Sequence, residues 1–188
     1  MCIRDRDDAA PFVCDLADED AVAAACAGIG RLDVLVHSAG IGRSNDIGLA
    51  SRALWREVFE TNVFAVADLT RLLLPALEAA RGIVVAINSG AGFFSSPGGG
   101  VYAGSKFALR ALTDALREEM RGKVRVCSIH PGRTDTDMQR ELQAAMGNEH
   151  YDGARYVAPE SVAAAVRLVV DTPDNATIEQ LSIRPSVF

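Results

Sequence analysis

The stretch 83-IVVAINSGAGFFSSPGGGVYAGSKFALRALTDALREEM-120 decides the fold. Its first five residues, 83–87, are apolar and rich in β-branched side chains, which predicts a buried strand. A loop rich in glycine and serine follows at residues 90–100 and leads into a helix predicted at about residues 101–121. A buried strand followed by a helix is the repeating unit of α/β proteins.

The same alternation extends in both directions from this stretch. Apolar runs predict further strands at residues 11–14, 32–36, 124–129 and 177–183. Helices are predicted at about residues 18–27, 54–79 with a possible break, 137–146 and 159–171. Continuously apolar strands that alternate with helices indicate a parallel sheet covered on both faces. We therefore predict one α/β domain with a doubly wound parallel sheet.

Composition narrows the class of protein. The chain has 188 residues and a net charge of −6, which argues against a nucleic-acid partner because phosphate contacts need a basic face. The apolar runs are too short to span a bilayer, so no membrane association is expected. Four scattered cysteines without metal-ligand spacing suit a reducing cytoplasm and predict no metal site. Residues 1–6 follow no helix or strand pattern and are interpreted as a non-native start, which leaves residues 7–188 as the domain.

The chemistry is expected at Tyr102 and Lys106, which lie four residues apart and therefore on one helix face. A nearby ammonium group favours the phenolate, so we expect Lys106 to lower the pKa of Tyr102 toward neutral pH. Such a pair is common by chance. Ser89, however, precedes Tyr102 by thirteen residues and follows the strand at 83–87, so the end of that strand and the start of the helix can converge.

In this context the sequence resembles the short-chain dehydrogenase/reductase family. The resemblance rests on five ordered motifs, with departures at His37, Ser38 and Thr134. The motifs are Cys14-Asp15-Leu16, His37-Ser38-Ala39-Gly40, Asn62, Ser89 with Tyr102 and Lys106, and Pro131-Gly132-Arg133-Thr134-Asp135-Thr136.

The resemblance implies hydride transfer between a nicotinamide and a carbonyl or secondary alcohol group of a small molecule. Tyr102 would move the hydroxyl proton, and Ser89 would donate a hydrogen bond to the substrate oxygen. Lys106 would lower the pKa of Tyr102 and bind the nicotinamide ribose. Asn62 would hold a water that links Lys106 to solvent. His37 replaces a family asparagine and is interpreted as a support for the backbone, not as an acid or base.

The resemblance also implies a cofactor site for NADP or NAD, with NADP the first choice, and assembly into a homodimer or homotetramer. The residues expected at the cofactor are Asp15, Leu16, Ser38, Ala39, Gly40, Tyr102, Lys106, Pro131, Gly132, Thr134 and Thr136. Leucine-rich and phenylalanine-bearing faces of the helices at 54–79 and 101–121 favour a helix–helix interface between copies.

The family's glycine-rich TGxxxGxG turn, which binds the pyrophosphate, has no counterpart here. The strand at 11–14 corresponds to the third strand of the family. We therefore expect a Rossmann-like domain that lacks the first strand–helix–strand unit, in which the strand at 32–36 loses a neighbour. Three interpretations stay open: a truncated reductase, an inactive fragment that acts only by association with other chains, and a shortened enzyme with another cofactor.

Overall fold

The computed structural model describes residues 10–186 and contains one parallel sheet. Its strands are β1 (Val34–His37), β2 (Ile83–Ile87), β3 (Arg125–Pro131) and β4 (Gln180–Ile183), in the order β1-β2-β3-β4. The helices are α1 (Glu19–Cys26), α2 (Arg52–Phe59), α3 (Ala65–Ala80), α4 (Gly100–Glu119), α5 (Asp137–Ala145) and α6 (Pro159–Val170). A π-helical segment, Glu60–Phe64, joins α2 to α3. It is the break anticipated in the helix at 54–79.

Side-chain caps set the starts of several helices. The Asp18 carboxylate accepts a hydrogen bond from the Ala21 amide, and the Ser51 hydroxyl accepts one from the Leu54 amide. These caps satisfy amides that have no partner within the first helical turn. The helix start predicted near residue 18 is therefore confirmed, and the helix predicted from residue 54 begins two residues earlier, at Arg52.

Helices cover both faces of the sheet, as predicted for a doubly wound fold. One core cluster contains Val84 and Val126 of the sheet together with Leu77 of α3. The other contains Val85 and Ile129, packed against Val169 of α6. Successive residues of β2 point to opposite faces, so this central strand is buried on both sides.

The prediction of a buried strand at residues 11–14 is wrong. These residues form no strand, and the side chain of Val13 is 88% exposed. A strand needs a hydrogen-bonded neighbour, and β1 pairs with β2 alone among residues 10–186. β1 is accordingly an edge strand, as expected from the loss of a neighbour.

Two parts of the chain bear on the remaining expectations. The proposed non-native start at residues 1–6 lies outside the described residues. Within residues 10–186, no helix is both long and apolar enough to cross a membrane.

Candidate active site

A cleft of about 1180 Å³ opens where the strands end. Loops that follow β1, β2 and β3 line it, as do α4 and the segment from α5 to α6. In a parallel sheet the carboxyl ends of the strands share one edge, and ligands bind outside that edge. The cleft is therefore the candidate active site.

Ser89 and Tyr102 reach the cleft from two different elements. Ser89 directly follows Asn88 at the end of β2, and its hydroxyl accepts a hydrogen bond of 3.1 Å from the Ala91 amide. This cap fixes a short 3₁₀ turn, Gly90–Gly92. Tyr102 lies in the first turn of α4. The two hydroxyl-bearing side chains come together as the sequence predicted, because the end of β2 and the start of α4 meet here.

The expected decrease in the pKa of Tyr102 is not found. Burial raises the pKa of the phenol, and hydrogen bonding with the Ser89 side chain partly opposes that rise. Lys106 lies with its Nζ 5.8 Å from the centroid of the Tyr102 ring and donates a hydrogen bond to the Ile87 carbonyl at 3.1 Å. Desolvation therefore outweighs any effect of the ammonium group on the phenol, and Ser89 is the residue that lowers the pKa of Tyr102.

Lys106 is buried, and the described part of the chain uses only some of its N–H donors. Its residue is 4% exposed, and burial lowers the pKa of its amine to about 8. A lysine ammonium has three N–H donors, and Ile87 takes one of them. A methyl group placed on Gly40 would lie 3.7 Å from Nζ, so the loop after β1 passes close to the amine. The remaining donors fit the hydroxyl oxygens of a ribose.

The side chain of Asn62 joins three elements around the cleft. Its amide donates to the Ile41 carbonyl at 2.9 Å and to the Ser105 hydroxyl at 3.0 Å, while its Oδ1 accepts from the Ile41 amide at 2.8 Å. Ser105 in turn donates to the Tyr102 carbonyl at 2.7 Å. Both amide hydrogens are thus used, and Oδ1, which lies beside Gly40, keeps one lone pair. That Asn62 holds a water linking Lys106 to solvent stays a prediction, and Oδ1 is the atom that would accept from this water.

The expected cofactor residues fall into two groups. Asp15, Leu16 and Ala39 do not line the cleft. Asp15 accepts a hydrogen bond from the Ala17 amide, and Leu16 packs against the first core cluster. The others line the cleft together: Ser38, Gly40, Tyr102, Lys106, Pro131, Gly132, Thr134 and Thr136.

Two threonines of the segment after β3 also shape its backbone. Thr134 donates to the Gly132 carbonyl at 3.1 Å, and the Thr136 hydroxyl accepts from the Gln139 amide as the N-cap of α5. Thr134 forms a β-bridge with Val157. These bonds tie α5 and the segment before α6 to the edge of the cleft.

Two histidines take part in buried contacts. His37 lies within hydrogen-bond distance of Thr70, with Nε2 and Oγ1 2.9 Å apart, and burial lowers the pKa of His37 to about 4. It is therefore neutral at physiological pH and unsuited to replace Tyr102 as an acid or base. The sequence analysis interpreted His37 as a support for the backbone, whereas the structure places it against the side chain of Thr70.

His130 was missed as a neighbour of Ser89. Its side chain is fully buried, with Nδ1 3.0 Å from the Ser89 carbonyl, and its own carbonyl accepts from Arg184 at 2.6 Å. Its position just before Pro131-Gly132 is the signal that could have placed it here. No three metal-ligating side chains gather anywhere in residues 10–186.

Comparison with known proteins adds to this geometry. A family model described as short chain dehydrogenase matches residues 2–147. Serine 3-dehydrogenase of Agrobacterium fabrum is 33% identical over 183 residues, which cover 91% of this chain and 72% of the relative.

Solved structures agree. An alcohol dehydrogenase from the archaeon Thermococcus sibiricus, complexed with 5-hydroxy-NADP, matches with a TM-score of 0.81 and 25% identity over 93% of this chain and 73% of its own. A metagenomic short-chain oxidoreductase in complex with NADP matches with a TM-score of 0.75 and 29% identity over 93% of this chain and 73% of its own. The chain belongs to the short-chain dehydrogenase/reductase family, and its fold is the α/β Rossmann-like fold.

Proposed function

We propose that this NAD(P)-dependent oxidoreductase interconverts a carbonyl and a secondary alcohol on a small molecule, with Tyr102 as the acid/base. One observation carries the proposal: the Ser89 and Tyr102 side chains meet at the mouth of a cleft, beside the buried amine of Lys106. When bound, the nicotinamide supplies or accepts the hydride. The side chains described below handle the proton.

Tyr102 donates its phenolic proton to the substrate oxygen during reduction and accepts a proton during oxidation. Burial raises its pKa, which keeps the phenol protonated and ready to donate in the reductive direction. Ser89 offers its hydroxyl to the same oxygen, where negative charge develops. Lys106 binds the ribose through its free donors, and Asn62 fixes the loop after β1 beside it.

Residues after β1 and β3 would hold the cofactor. Ser38 and Gly40 line the cleft after β1, and Pro131, Gly132, Thr134 and Thr136 line it after β3. Asp15, Leu16 and Ala39 do not line the cleft. Asp15 and Leu16 would serve the adenine end, and Ala39 would let the backbone pass close to the cofactor. NADP is our first choice over NAD, since both solved relatives described above contain an NADP-type cofactor.

We place the protein in the cytoplasm. All three cysteines within the described residues, Cys14, Cys26 and Cys127, are free thiols. Free buried thiols are usual in a reducing compartment.

Replacement of Tyr102 by phenylalanine tests the assignment. The test is made in a chain to which the family's first strand–helix–strand unit has been added. Tyr102→Phe removes the hydroxyl and keeps the ring, so kcat for NADPH-dependent reduction of ketones should fall by at least about 10²-fold. The affinity for NADPH and the unfolding temperature should stay near the values of the unmodified chain. Tyr156→Phe removes the hydroxyl of another tyrosine in the cleft and is the matched control. Near-normal turnover by Tyr102→Phe would show the assignment to be wrong.

A further inference from the structure

The cleft is basic, although the chain has a net charge of −6. Charged side chains that line it comprise five basic groups and one carboxylate: Arg43, Lys106, Arg133, Arg155, Arg184 and Asp152. Arg43 is neutralised by Glu57 at 2.9 Å. A concentration of one sign of charge in a concave site attracts ligands of the opposite sign.

Three of these arginines lack a carboxylate partner in the described part of the chain. No Asp or Glu oxygen of residues 10–186 lies within 4.0 Å of a guanidinium nitrogen of Arg133, Arg155 or Arg184. Arg133 lies over the ring of Tyr156, with its Cζ 5.4 Å from the centroid. Arginine remains charged at any physiological pH. An anionic ligand would supply the missing counter-charge.

Arg184 is the one of the three held beside the reacting groups. It follows β4, and its Nη1 donates to the carbonyls of His130 at 2.6 Å and Ile183 at 3.0 Å. A methyl group placed on Gly90, the residue after Ser89, would lie 3.3 Å from Nη2. The guanidinium therefore lies against the turn that presents Ser89. Its Nε and Nη2 have no acceptor among residues 10–186 and remain free for a ligand.

The position of Arg184 in the sheet separates a substrate anion from a cofactor phosphate. The pyrophosphate turn of the family belongs to a strand beyond the open edge of β1. Arg184 follows β4, at the opposite edge. Three strand spacings of about 4.8 Å put the ends of β1 and β4 about 14 Å apart. An anion at Arg184 therefore belongs on the substrate side of Ser89.

We infer that Arg184 binds the carboxylate of the substrate, so that the protein acts on hydroxy acids or oxo acids. The inference rests on the proposed function and narrows its substrate class. Nε and Nη2 form one edge of the guanidinium and can bind both oxygens of a carboxylate. Arg133 and Arg155 add positive potential around the same cleft.

The test compares 2-, 3- and 4-hydroxybutanoate with their methyl esters, which keep the carbon skeleton and lose the charge. Dissociation constants are measured by ligand-observed NMR on the 188-residue chain and on Arg184→Gln. We expect at least one acid to bind more tightly than its ester. Arg184→Gln should weaken the binding of that acid by about 10- to 100-fold and leave the binding of the ester unchanged. Arg184→Lys keeps the charge and should lose less affinity. Arg71→Gln, on the outer surface of α3, removes one charge elsewhere and should change nothing.

Four results would overturn the inference. The first is equal binding of acids and esters, or no binding of any acid. The second is an equal loss of affinity for the acid and for its ester in Arg184→Gln. The third, in a chain that carries the family's first strand–helix–strand unit, is a loss of NADPH affinity by Arg184→Gln as large as its loss of affinity for the acid, which would assign the anion to the cofactor. The fourth is a result in which Arg184→Gln and Arg184→Lys both lower the unfolding temperature and both lose affinity for the acid. Arg184 would then act through folding.

The same variants separate this inference from the proposed function. Binding of an acid that depends on Arg184, without hydride transfer to any substrate, would support the inference and contradict the proposed function. Hydride transfer to acids and esters alike, unchanged in Arg184→Gln, would support the proposed function and contradict the inference.

Discussion

The side-chain amide of Asn62 forms two hydrogen bonds with the backbone of Ile41, one to the amide and one to the carbonyl. The two residues lie 21 positions apart, and the contact holds the loop after β1 against the π-helical segment. Asn62 is almost fully buried. A substitution that cannot form these two hydrogen bonds therefore leaves the amide and the carbonyl of Ile41 without those partners.

We expect Asn62→Ala to lower the free energy of unfolding by about 1–3 kcal/mol and to weaken NADPH binding, because Gly40 lies in the released loop. Asn62→Asp should be at least as damaging, since a carboxylate cannot donate to the Ile41 carbonyl. Chemical denaturation of the 188-residue chain measures the first effect, and fluorescence titration of NADPH in a chain that carries the family's first strand–helix–strand unit measures the second. Asn175→Ala, at an exposed asparagine that does not line the cleft, is the control. Normal NADPH affinity in a destabilised Asn62→Ala would refute a role in the site.

We expect Ser89 to affect the pH dependence of the reaction as well as its rate. Its hydrogen bonding lowers the pKa of Tyr102, so in Ser89→Ala the pKa of the phenol should rise further. Alcohol oxidation needs the deprotonated phenol, so its rate rises with pH as the phenol loses its proton, and this rising limb of the pH profile should move to higher pH. We expect kcat to fall by about 10²-fold as well. A full pH profile with a secondary alcohol is the measurement.

Ser95→Ala, in the same cleft, is the matched control for that experiment. An unchanged limb in Ser89→Ala would mean that Ser89 acts on the substrate oxygen alone.

Lys106 makes stability depend on pH. Its pKa is about 8 in the folded chain against 10.5 for a free side chain, so the unfolded chain binds more protons between these values. Stability of the folded chain therefore rises as the pH increases from about 8 to 10.5. The difference in free energy of unfolding between the unmodified chain and Lys106→Met should increase over this range by about 3 kcal/mol. Denaturant titrations at several pH values measure it.

Lys123→Met gives the matched comparison, because Lys123 is an exposed lysine 3.8 Å from Glu78. A pH-dependent difference for Lys106→Met no larger than the difference for Lys123→Met would show that the amine of Lys106 is solvated.

The open edge of β1 predicts weak cofactor binding by the 188-residue chain. A graft of the first strand–helix–strand unit of the Agrobacterium relative, placed ahead of residue 10, should pair with β1 and restore the pyrophosphate turn. We expect NADPH affinity to rise by at least about tenfold, as measured by fluorescence titration. A graft with alanines in place of the glycines of its turn is the control. Micromolar binding by the ungrafted chain would contradict the prediction and favour a shortened but complete site over an inactive fragment.

Exposed aromatic side chains favour a homodimer, or a homotetramer built from it. Phe64 beside α3 and Phe107 on α4 are 52% and 43% exposed, whereas Leu77 and Leu109 of the same helices are buried. We expect light scattering to give the mass of at least two chains, and Phe107→Asp to reduce it. Leu168→Asp on α6, at the other face of the sheet, is the control. Dissociation by Leu168→Asp alone would place the interface elsewhere.

The sequence predicts a segment's structure correctly where the segment makes its own backbone hydrogen bonds, as a helix does, or where it is apolar on all sides, as a buried strand is. Strand β2 and helix α4 lie within one residue or two of the predicted bounds, because a buried strand and a helix that follows a glycine-rich loop are encoded locally. Residues 11–14 were equally apolar but formed no strand. Their pattern reports a tendency to be buried, whereas a strand also requires a neighbour that the pattern does not contain.

At the site, the sequence by itself determined which side chains meet. The spacing of Ser89, Tyr102 and Lys106 places the first at a strand end and the others on the first turns of one helix, so their convergence follows from the α/β alternation. Tertiary structure alone decided the electrostatics. Burial of the phenol raises the pKa of Tyr102, and the carbonyl of Ile87 draws the amine of Lys106. Desolvation and hydrogen-bond direction depend on surrounding segments that are distant in the chain, and therefore no local spacing encodes them.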